Sequence, residues 1–467
     1  MSVTSEYREE TAINYLRLLD SKRHSTQDFG IKPSYIPDTM FDFQRYITEK
    51  SILKGRNANF IDTGLGKTYI ELIHAVNYLR HFNKPVLIIT PLAVAFQFIK
   101  EAEKFGVDDV EYSKDGKYKK KIVLCNYERL HLFTPSDFLV VILDESSILK
   151  NEDGATRQEL TWFMRKVQYR YLFTATPSPN DFVELGTSSE ALGYLGYTDM
   201  LTKFFTNNED TISPQKIGVE WVLKGHAIQN FFKWVSTWSI SMRKPSDLGF
   251  SDDRHILPNL FIRDHAIENR ENLIVNGQIQ LINKVARSRS EIQAEARATI
   301  KERCEKAVEL ASGHKTSVYW CNLNDEGDLL ESLDKNAVQL KGSMPLEKKE
   351  EILLAFADGQ IKKLITKPKI TAFGLNWQHC NHTVAFPTFS YEQWYQLIKR
   401  FHRFGQKNDV TADRIISNGQ IRLIQSIAAK GKKADELYSE LNKAVNQTYE
   451  VKVKAFDKEV KLPNFFQ

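Results

Sequence analysis

The chain has 467 residues, of which 42% are hydrophobic and 26% are charged, and its formal net charge is +5. This length predicts two or three domains, and the composition is typical of a soluble globular protein. The mild positive charge permits a nucleic-acid partner without requiring one. The sequence contains no run of 18 apolar residues, so we expect no membrane-spanning helix.

Neither the N-terminal residues nor the cysteine spacing is typical of a secreted protein. Residues 1–10 lack the apolar core of a secretion signal, so we expect a cytoplasmic location. The cysteines form no C-x-x-C pair, which predicts neither a zinc site nor a disulfide framework. We interpret them as buried small apolar residues. They are Cys125, Cys304, Cys321 and Cys380.

Residues 1–40 have the pattern of a peripheral segment, with a predicted helix over 6–20. From residue 41 to about 190, short apolar runs alternate with helical patterns. Three of the runs are continuously apolar, as strands buried on both faces of a parallel sheet are. This alternation predicts right-handed βαβ units. The three runs are 86–89, 122–124 and 139–143.

A Phe-Ile-Asp-Thr-Gly-Leu-Gly-Lys-Thr segment ending at Thr68 predicts a phosphate-binding turn between a strand and a helix. Gly64 and Gly66 allow a tight turn whose N–H groups point at one anion, at the positive end of the helix. Lys67 is placed to reach the β- and γ-phosphates, and Thr68 to bind a magnesium ion. The general pattern has glycine where this chain has Ile61, so a plain glycine turn is the alternative. Helical apolar spacing directly after the turn favours the phosphate site.

A second signal is the apolar run 139–143, which ends in Asp144 and Glu145. Ligands of parallel sheets bind at the carboxyl ends of strands. Beside a phosphate loop, Asp144 is expected to hold the magnesium ion, and Glu145 to orient and deprotonate the attacking water. An acidic strand end alone is an ordinary surface feature, and only the pairing with Lys67 favours the catalytic interpretation.

Residues 190–260 are irregular and aromatic, and we interpret several of the aromatic residues as core of the first domain. Pro245, Gly249 and Pro258 mark a linker. A long helical stretch follows and is predicted to end at Gly313. The basic residues on its other faces are interpreted as a solvated surface, with a DNA contact as the alternative. They are Arg287, Arg289, Arg297, Lys301 and Arg303.

A second alternating block begins at Ser317 and predicts a second α/β domain that lacks a phosphate loop. Its predicted strands are 318–320, 363–366, 382–386 and 413–416. Its predicted helices are centred on 326–333, 346–357, 391–401 and 433–445.

The segment 396–406 contains Arg400 and Arg403, which share one face if the segment is helical. Paired guanidinium groups can clamp a transferring γ-phosphate. Their distance in sequence from Lys67 then implies a second domain that closes over the nucleotide. For these two residues alone, a solvated basic helix end is the alternative.

In their order along the chain, these motifs resemble helicase superfamily 2, and within it the Swi/Snf-like DNA-dependent ATPases, over about residues 41–446. The resemblance makes Gln44 part of an adenine-reading motif. It also explains Ile61, because motif I of that branch lacks the first glycine. The hinge region near 244–258 is similar to that of compact phage-encoded members. The other matching segments are 90–92, 125–128, 144–147, 174–177, 320–322, 371–376 and 400–406.

The resemblance implies an α/β fold of two tandem RecA-like domains, with parallel central sheets and ATP in the cleft between them. It implies ATP and Mg²⁺ as cofactors and a monomer that binds duplex, forked or single-stranded DNA with little sequence preference. It also implies no membrane contact and the cytoplasm of a prokaryotic or phage-infected cell. The implied divisions are an N-terminal extension at 1–40, RecA-like domain 1 at 41–250, a linker with a helical insertion at 251–312 and RecA-like domain 2 at 313–467.

The resemblance further implies roles for individual residues. The expected catalytic residues are Lys67, Glu145, Gln396, Arg400 and Arg403. The expected nucleotide-binding residues are Gln44, Thr63, Gly64, Leu65, Gly66, Lys67, Thr68 and Gly374, and the expected metal ligands are Thr68 and Asp144. The expected nucleic-acid contacts are Thr90, Pro91, Asn126, Tyr127, Asn322, Lys341 and Thr371.

Two positions depart from the family pattern. Ser147 replaces the usual His or Asp of motif II, and Lys399 stands where a glycine usually precedes the first arginine. The function implied is an ATP-dependent DNA helicase or translocase that moves on DNA or remodels it. The alternatives are an RNA helicase of the same superfamily and an ATP-switched nucleic-acid clamp that does not translocate.

Overall fold

The computed structural model describes residues 28–150, 154–207, 221–268, 273–275, 278–280, 289–371 and 377–450. Within these residues, helices alternate with strands that build two separate parallel sheets. The helix expected at 6–20 lies outside the described residues. Among the helices that the structure describes, none combines the length and the apolar character needed to cross a membrane.

The first sheet is built from the strands of residues 56–242. In chain order the strands here are β1 (Arg56–Ile61), β2 (Val86–Ile89), β3 (Val110–Tyr112), β4 (Ile122–Cys125), β5 (Val140–Leu143), β6 (Tyr169–Thr174), β7 (Phe205–Asn207), β8 (Trp221–Leu223) and β9 (Ser239–Met242). Within the described part of the chain, the spatial order is β3-β4-β2-β5-β6-β1-β9, and β7 and β8 form a separate antiparallel pair. The three strands expected from continuous apolar runs are confirmed as β2, β4 and β5, and all their residues are buried.

Helices cover both faces of this sheet, which is why its central strands are apolar throughout. They are α1 (Asp42–Lys54), α2 (Lys67–Phe82), α3 (Leu92–Lys104), α4 (Ala155–Lys166), α5 (Leu185–Leu192), α6 (Tyr197–Phe204) and α7 (Ile228–Trp238). We call the first sheet and these helices lobe 1. The expectation that the aromatic region after residue 190 packs the core is confirmed by α7, whose Phe231, Trp234 and Trp238 are buried. Its description as irregular is wrong, because α6 and α7 lie within it.

The second sheet begins after Pro258, so its first strand lies inside the segment 251–312 that was expected to be a linker with a helical insertion. In chain order, the strands of this second half of the chain are β10 (Leu260–Ile267), β11 (Leu273–Val275), β12 (Gln278–Gln280), β13 (Ser317–Trp320), β14 (Ala337–Gln339), β15 (Lys363–Thr366), β16 (His382–Ala385) and β17 (Val410–Ser417). For the described strands the spatial order is β10-β17-β16-β13-β15-β14, all parallel, while β11 and β12 pair separately. The four expected strands are confirmed as β13, β15, β16 and β17. The edge strand β10 escaped prediction because most of its residues are exposed.

The helices of this half are α8 (Arg289–Ala298), α9 (Ile300–Ser312), α10 (Asn324–Leu333), α11 (Leu346–Ala357), α12 (Pro368–Thr371), α13 (Tyr391–Ile398) and α14 (Ile421–Glu450). We call the second sheet and α8 to α13 lobe 2. The helical stretch expected to end at Gly313 is two helices, α8 and α9. The interpretation of Arg303 as solvated is wrong, because its side chain is 1% exposed and pairs with the buried Glu326 at 2.7 Å. The four cysteines are buried and free, as expected.

Helix α14 connects the two lobes. Ile427 and Ala434, in its first half, pack in the core of lobe 2. Leu437 and Leu441, further along, pack in the core of lobe 1 against the same cluster as α7. The segment expected as a helix at 433–445 is therefore the second part of a longer helix, and that helix is shared by two cores.

Candidate active site

The loop between β1 and α2 turns tightly at two glycines. Gly64 has a φ of 83° and Gly66 a φ of 82°, left-handed values that side chains disfavour. Gly66 also caps α2, so the loop presents its N–H groups at the positive end of the helix. Ile61 is the last residue of β1 and fully buried. Its backbone is still extended, so this turn needs no glycine at that position.

Lys67 is the first residue of α2, and its side chain folds back over the loop. Its Nζ donates a hydrogen bond to the Ile61 carbonyl oxygen at 3.1 Å. The ammonium group also lowers the pKa values of Asp144 and Glu145 relative to what burial alone would give. The phosphate loop and the acidic pair are therefore electrostatic neighbours.

Asp144 directly follows β5 and is held by the neighbouring strand. Its carboxylate accepts a hydrogen bond from the Thr90 hydroxyl at 2.9 Å, and Thr90 directly follows β2. The Tyr127 hydroxyl donates to the Asp144 backbone carbonyl. Glu145 has a φ of 49°, which is uncommon for a non-glycine residue and stores strain. This turn brings both carboxylates to the wall of one cavity at the carboxyl end of the sheet.

Three buried carboxyl groups lie around Lys67. Burial, opposed by Lys67 and reinforced by Asp144, raises the pKa of Glu145 to about 7. Burial and the charge of Asp144 raise the pKa of Glu71, on α2, well above its ordinary value. Among the described residues, Oε2 of Glu145 has no hydrogen-bond partner. This excess of acidic groups and the unsatisfied oxygen fit a divalent cation held by Asp144 and Thr68.

Arg400 and Arg403 reach the same cavity from lobe 2. The expected helix over 391–401 ends at Ile398, so the two arginines lie in the turn that follows it. Arg400 is 3% exposed. Burial and the like charge of Arg403, opposed by Glu145, lower the pKa of Arg400 to about 9. Arg400 of lobe 2 and Glu145 of lobe 1 therefore line one cleft.

The cavity lies between the two lobes and is lined by residues of both. Its lining includes these residues expected from the sequence: Thr63, Gly64, Gly66, Lys67, Thr68, Asp144, Glu145, Gln396, Arg400 and Arg403. Lining residues that the sequence reasoning missed are Val94, Gln97, Glu101 and Lys399. The first three lie three and four residues apart on α3, and that spacing is the sequence signal that could locate them.

Gln44 supports the phosphate loop from behind. Its Nε2 donates to the Leu65 carbonyl at 2.9 Å, and its Oε1 accepts from the Phe41 N–H at 3.0 Å. A methyl group added to Gly66 would lie 2.3 Å from the Gln44 Nε2. The glycine is therefore required here by close approach as well as by backbone conformation.

Most of the residues expected to contact nucleic acid are engaged inside the protein. Thr90 is fully buried, and its hydroxyl is bonded to the Asp144 carboxylate beside the cleft. Asn126 accepts a hydrogen bond from the Tyr112 hydroxyl at 3.0 Å. Asn322 donates to the Phe386 carbonyl at 2.6 Å. These side chains form hydrogen bonds within the protein just beyond the carboxyl ends of the strands.

The other expected contacts are more varied. Pro91 is buried at the start of α3, and Tyr127 is bonded to the Asp144 backbone as described above. Lys341 is partly exposed and pairs with Asp328 at 2.9 Å. Thr371 ends α12. The expected nucleotide contact at residue 374 lies outside the described residues.

Comparisons with known proteins bear on both lobes. Residues 299–405 match the family described as helicase conserved C-terminal domain. A variant of S. cerevisiae Dbp5, in a structure bound to RNA and ADP BeF3, has 12% sequence identity and a TM-score of 0.53, covering 87% of this chain and 98% of that chain. The Sulfolobus solfataricus SWI2/SNF2 ATPase core in complex with dsDNA has 17% identity and a TM-score of 0.41, covering 90% and 97%. No curated protein matches the sequence.

The fold class expected from the sequence is confirmed. Two parallel sheets, each covered by helices, are joined in tandem, and the fold is similar to that of the Dbp5 structure over most of both chains. The family match covers lobe 2 from the start of α9 through the arginine turn. The chain thus has two tandem RecA-like α/β domains, and residues 299–405, in the second of them, match the helicase conserved C-terminal domain.

Proposed function

We propose that this chain is an ATP hydrolase that couples hydrolysis to movement on DNA or to its remodelling. One observation carries the proposal: Lys67 and Glu145 of lobe 1 and Arg400 and Arg403 of lobe 2 line a single cavity. A phosphate loop, an acidic strand end and paired arginines are the parts that phosphoryl transfer to water requires.

The phosphates of ATP bind at the loop. The N–H groups of the glycine turn and the positive end of α2 attract them, and Lys67 exchanges its bond to the Ile61 carbonyl for the β- and γ-phosphates. Thr68 and Asp144 would hold Mg²⁺, which neutralises phosphate charge when bound. Asp144 is already oriented for this by the Thr90 hydroxyl.

Hydrolysis then uses groups from both lobes. Glu145 orients a water and accepts its proton as the water oxygen attacks the γ-phosphorus. The bond from phosphorus to the bridging oxygen breaks, and its electron pair leaves with ADP. Arg400 and Arg403 stabilise the charge that spreads over the γ-phosphoryl oxygens. Catalysis therefore requires the lobes to close.

Closing and opening of the cleft would move the lobes along a nucleic acid that lies across both of them. Contacts mainly to phosphates would give affinity that falls with salt and depends little on sequence. The resemblance of residues 402–406 to the Swi/Snf-like motif VI favours DNA. The RNA in the Dbp5 structure favours the second candidate, an RNA helicase.

ATP turnover measured with equal nucleotide concentrations of single-stranded DNA, duplex DNA and RNA tests the proposal. We expect DNA to stimulate turnover, and Lys67→Ala and Glu145→Gln to abolish it. Stimulation by RNA alone would select the second candidate. A flat response to all three would contradict a motor. Triplex displacement and fork unwinding, run in parallel, separate a motor from an ATP-switched clamp, which would bind without either activity.

A further inference from the structure

A buried carboxylate at the start of the phosphate loop joins the two lobes. Asp62 directly follows β1, and its side chain is only 7% exposed. It accepts a hydrogen bond from the Tyr395 hydroxyl at 2.6 Å and from the Lys399 ammonium at 2.8 Å. The Thr63 N–H donates to the same carboxylate at 2.6 Å. One side chain of lobe 1 thus collects two donors from lobe 2.

Breaking this contact is costly because the Asp62 carboxylate is held ionised in a buried place. Burial opposes ionisation of Asp62, but the charge of Lys399 and the bonds from Tyr395 and Thr63 outweigh it and lower the pKa of the carboxyl. Removing either partner leaves a poorly solvated charge behind, which is far less favourable than losing an exposed pair. The closed arrangement of the lobes therefore gains stability from this contact.

The contact lies where it can position the catalytic arginines. Lys399 immediately precedes Arg400 in the chain. A methyl group added to Gly64 would lie 3.1 Å from the Phe404 nitrogen and 3.3 Å from the Cβ of Arg403, so the phosphate loop already touches the arginine turn. A glycine at position 399, as the family pattern has, would have no side chain to reach Asp62.

We propose that Asp62, Tyr395 and Lys399 form an interlobe latch that holds Arg400 and Arg403 opposite the phosphate loop before nucleotide enters. The three are positioning residues: they act through the placement of the arginines. The predicted effect on turnover rests on the proposed function, but the predicted effect on lobe separation does not. Lys399 also lines the cavity, so direct binding of a phosphate is the competing role that the experiment must separate.

The separation of the lobes can be measured by fluorescence energy transfer in the full chain without nucleotide. Lys84→Cys and Lys335→Cys provide label sites, because both residues are exposed, one in each lobe. The four native cysteines are buried. We expect Asp62→Asn and Lys399→Met each to increase the fraction of open molecules by about tenfold, as a coupling of this kind does. The double variant should open no further, since both remove the same contact.

Two controls keep the result specific. Lys399→Arg retains the cation and should stay closed. Lys433→Met removes an exposed interlobe pair with Asp181, with 56% and 40% of the two side chains exposed, and should have little effect. Tyr395→Phe removes one hydroxyl only, so it should show a smaller shift in the same direction even if the charge variants fold poorly. Unchanged lobe separation in the latch variants would overturn the proposal.

Turnover separates the latch from a direct phosphate contact. A latch predicts that Asp62→Asn and Lys399→Met both lower kcat by about tenfold with a smaller change in KM for ATP. A rise in KM with Lys399→Met and none with Asp62→Asn would overturn the proposal in favour of phosphate binding. Because lobe separation is measured without ATP, a protein that proves not to hydrolyse ATP would still reveal whether the latch exists.

Discussion

The hydroxyl of Thr90 donates to the carboxylate of Asp144 across 2.9 Å and ties the ends of β2 and β5 together. Because Thr90 is fully buried, this bond is protected from water. Thr90→Val keeps the shape of the side chain and removes the donor. We expect turnover to fall by about 10- to 100-fold and the Mg²⁺ concentration for half-maximal turnover to rise, as for other residues that orient a metal ligand.

Titrating Mg²⁺ against turnover checks this expectation. Thr90→Ser is the matched control, since it keeps the hydroxyl and should retain the Mg²⁺ dependence of the unaltered chain. A Mg²⁺ dependence that is identical in the valine and serine variants would show that Thr90 has no influence on the metal site.

Arg400 should be replaceable by neither alanine nor lysine. Burial already lowers the pKa of its guanidinium to about 9, so the weaker base of a lysine would be driven further toward neutrality. We expect Arg400→Lys to reduce kcat by about a thousandfold while ATP binding changes only a few fold. Binding of a fluorescent ATP analogue and steady-state turnover measure the two effects. Equal loss of both would contradict a role in the transition state.

His74 makes lobe 1 sensitive to acid. It is fully buried on α2, and burial lowers its pKa from 6.5 to about 4 despite its bond to the Ile70 carbonyl. The unfolded chain therefore takes up a proton first as the pH falls. The contribution of His74 to the free energy of unfolding is therefore constant above about pH 6.5. It falls between about pH 6.5 and about pH 4, by up to about 3 kcal/mol in total.

His74→Phe should flatten this dependence, because the ring already packs edge-on against Tyr171 and Phe173 and needs no charge. Thermal unfolding followed from about pH 7 to about pH 4 measures it. The control is His81→Gln, an exposed histidine at the end of the same helix, which should leave the slope unchanged. Parallel pH slopes for the phenylalanine variant and the unaltered chain would contradict the prediction.

Leu441 should stabilise lobe 1 although it lies on α14. Its side chain is fully buried in the lobe 1 core. We expect Leu441→Ala to lower the free energy of unfolding of lobe 1 by about 2–5 kcal/mol. Denaturant unfolding followed by a fluorophore attached at Lys84→Cys, an exposed position of lobe 1, reports on that lobe. Lys443→Ala, on the exposed side of the helix, should change stability by less than about 0.5 kcal/mol.

The parts that sequence predicts well are those with a local signature. β2 and β5 are continuous apolar runs because helices cover both faces of the sheet, and such runs are visible in any short window. The phosphate loop is equally local, since Gly64, Gly66 and Lys67 must be close in sequence to surround one anion. The pairing of this loop with Arg400 was predictable only because the loop in lobe 1 and the arginine turn in lobe 2 each have a sequence motif of their own.

The parts that escaped prediction depend on partners far away in the chain. β10 exposes Phe261 and is held at its edge by an ion pair from Asp264 to Arg414 at 2.6 Å. Arg303 is buried because Glu326, on another helix, neutralises it. The residues next to Arg303 or Asp264 in the sequence give no sign of the distant ion-pair partner that changes the environment of the side chain.

The sharing of α14 between two cores has a consequence for biosynthesis. Leu437 and Leu441 are translated after every strand of both sheets, yet they complete the core of lobe 1. During translation, the first sheet therefore leaves the ribosome with part of one face uncovered, and it keeps that apolar surface until α14 arrives. Nascent lobe 1 should depend on chaperones during that interval, and a fragment that stops at the linker should aggregate.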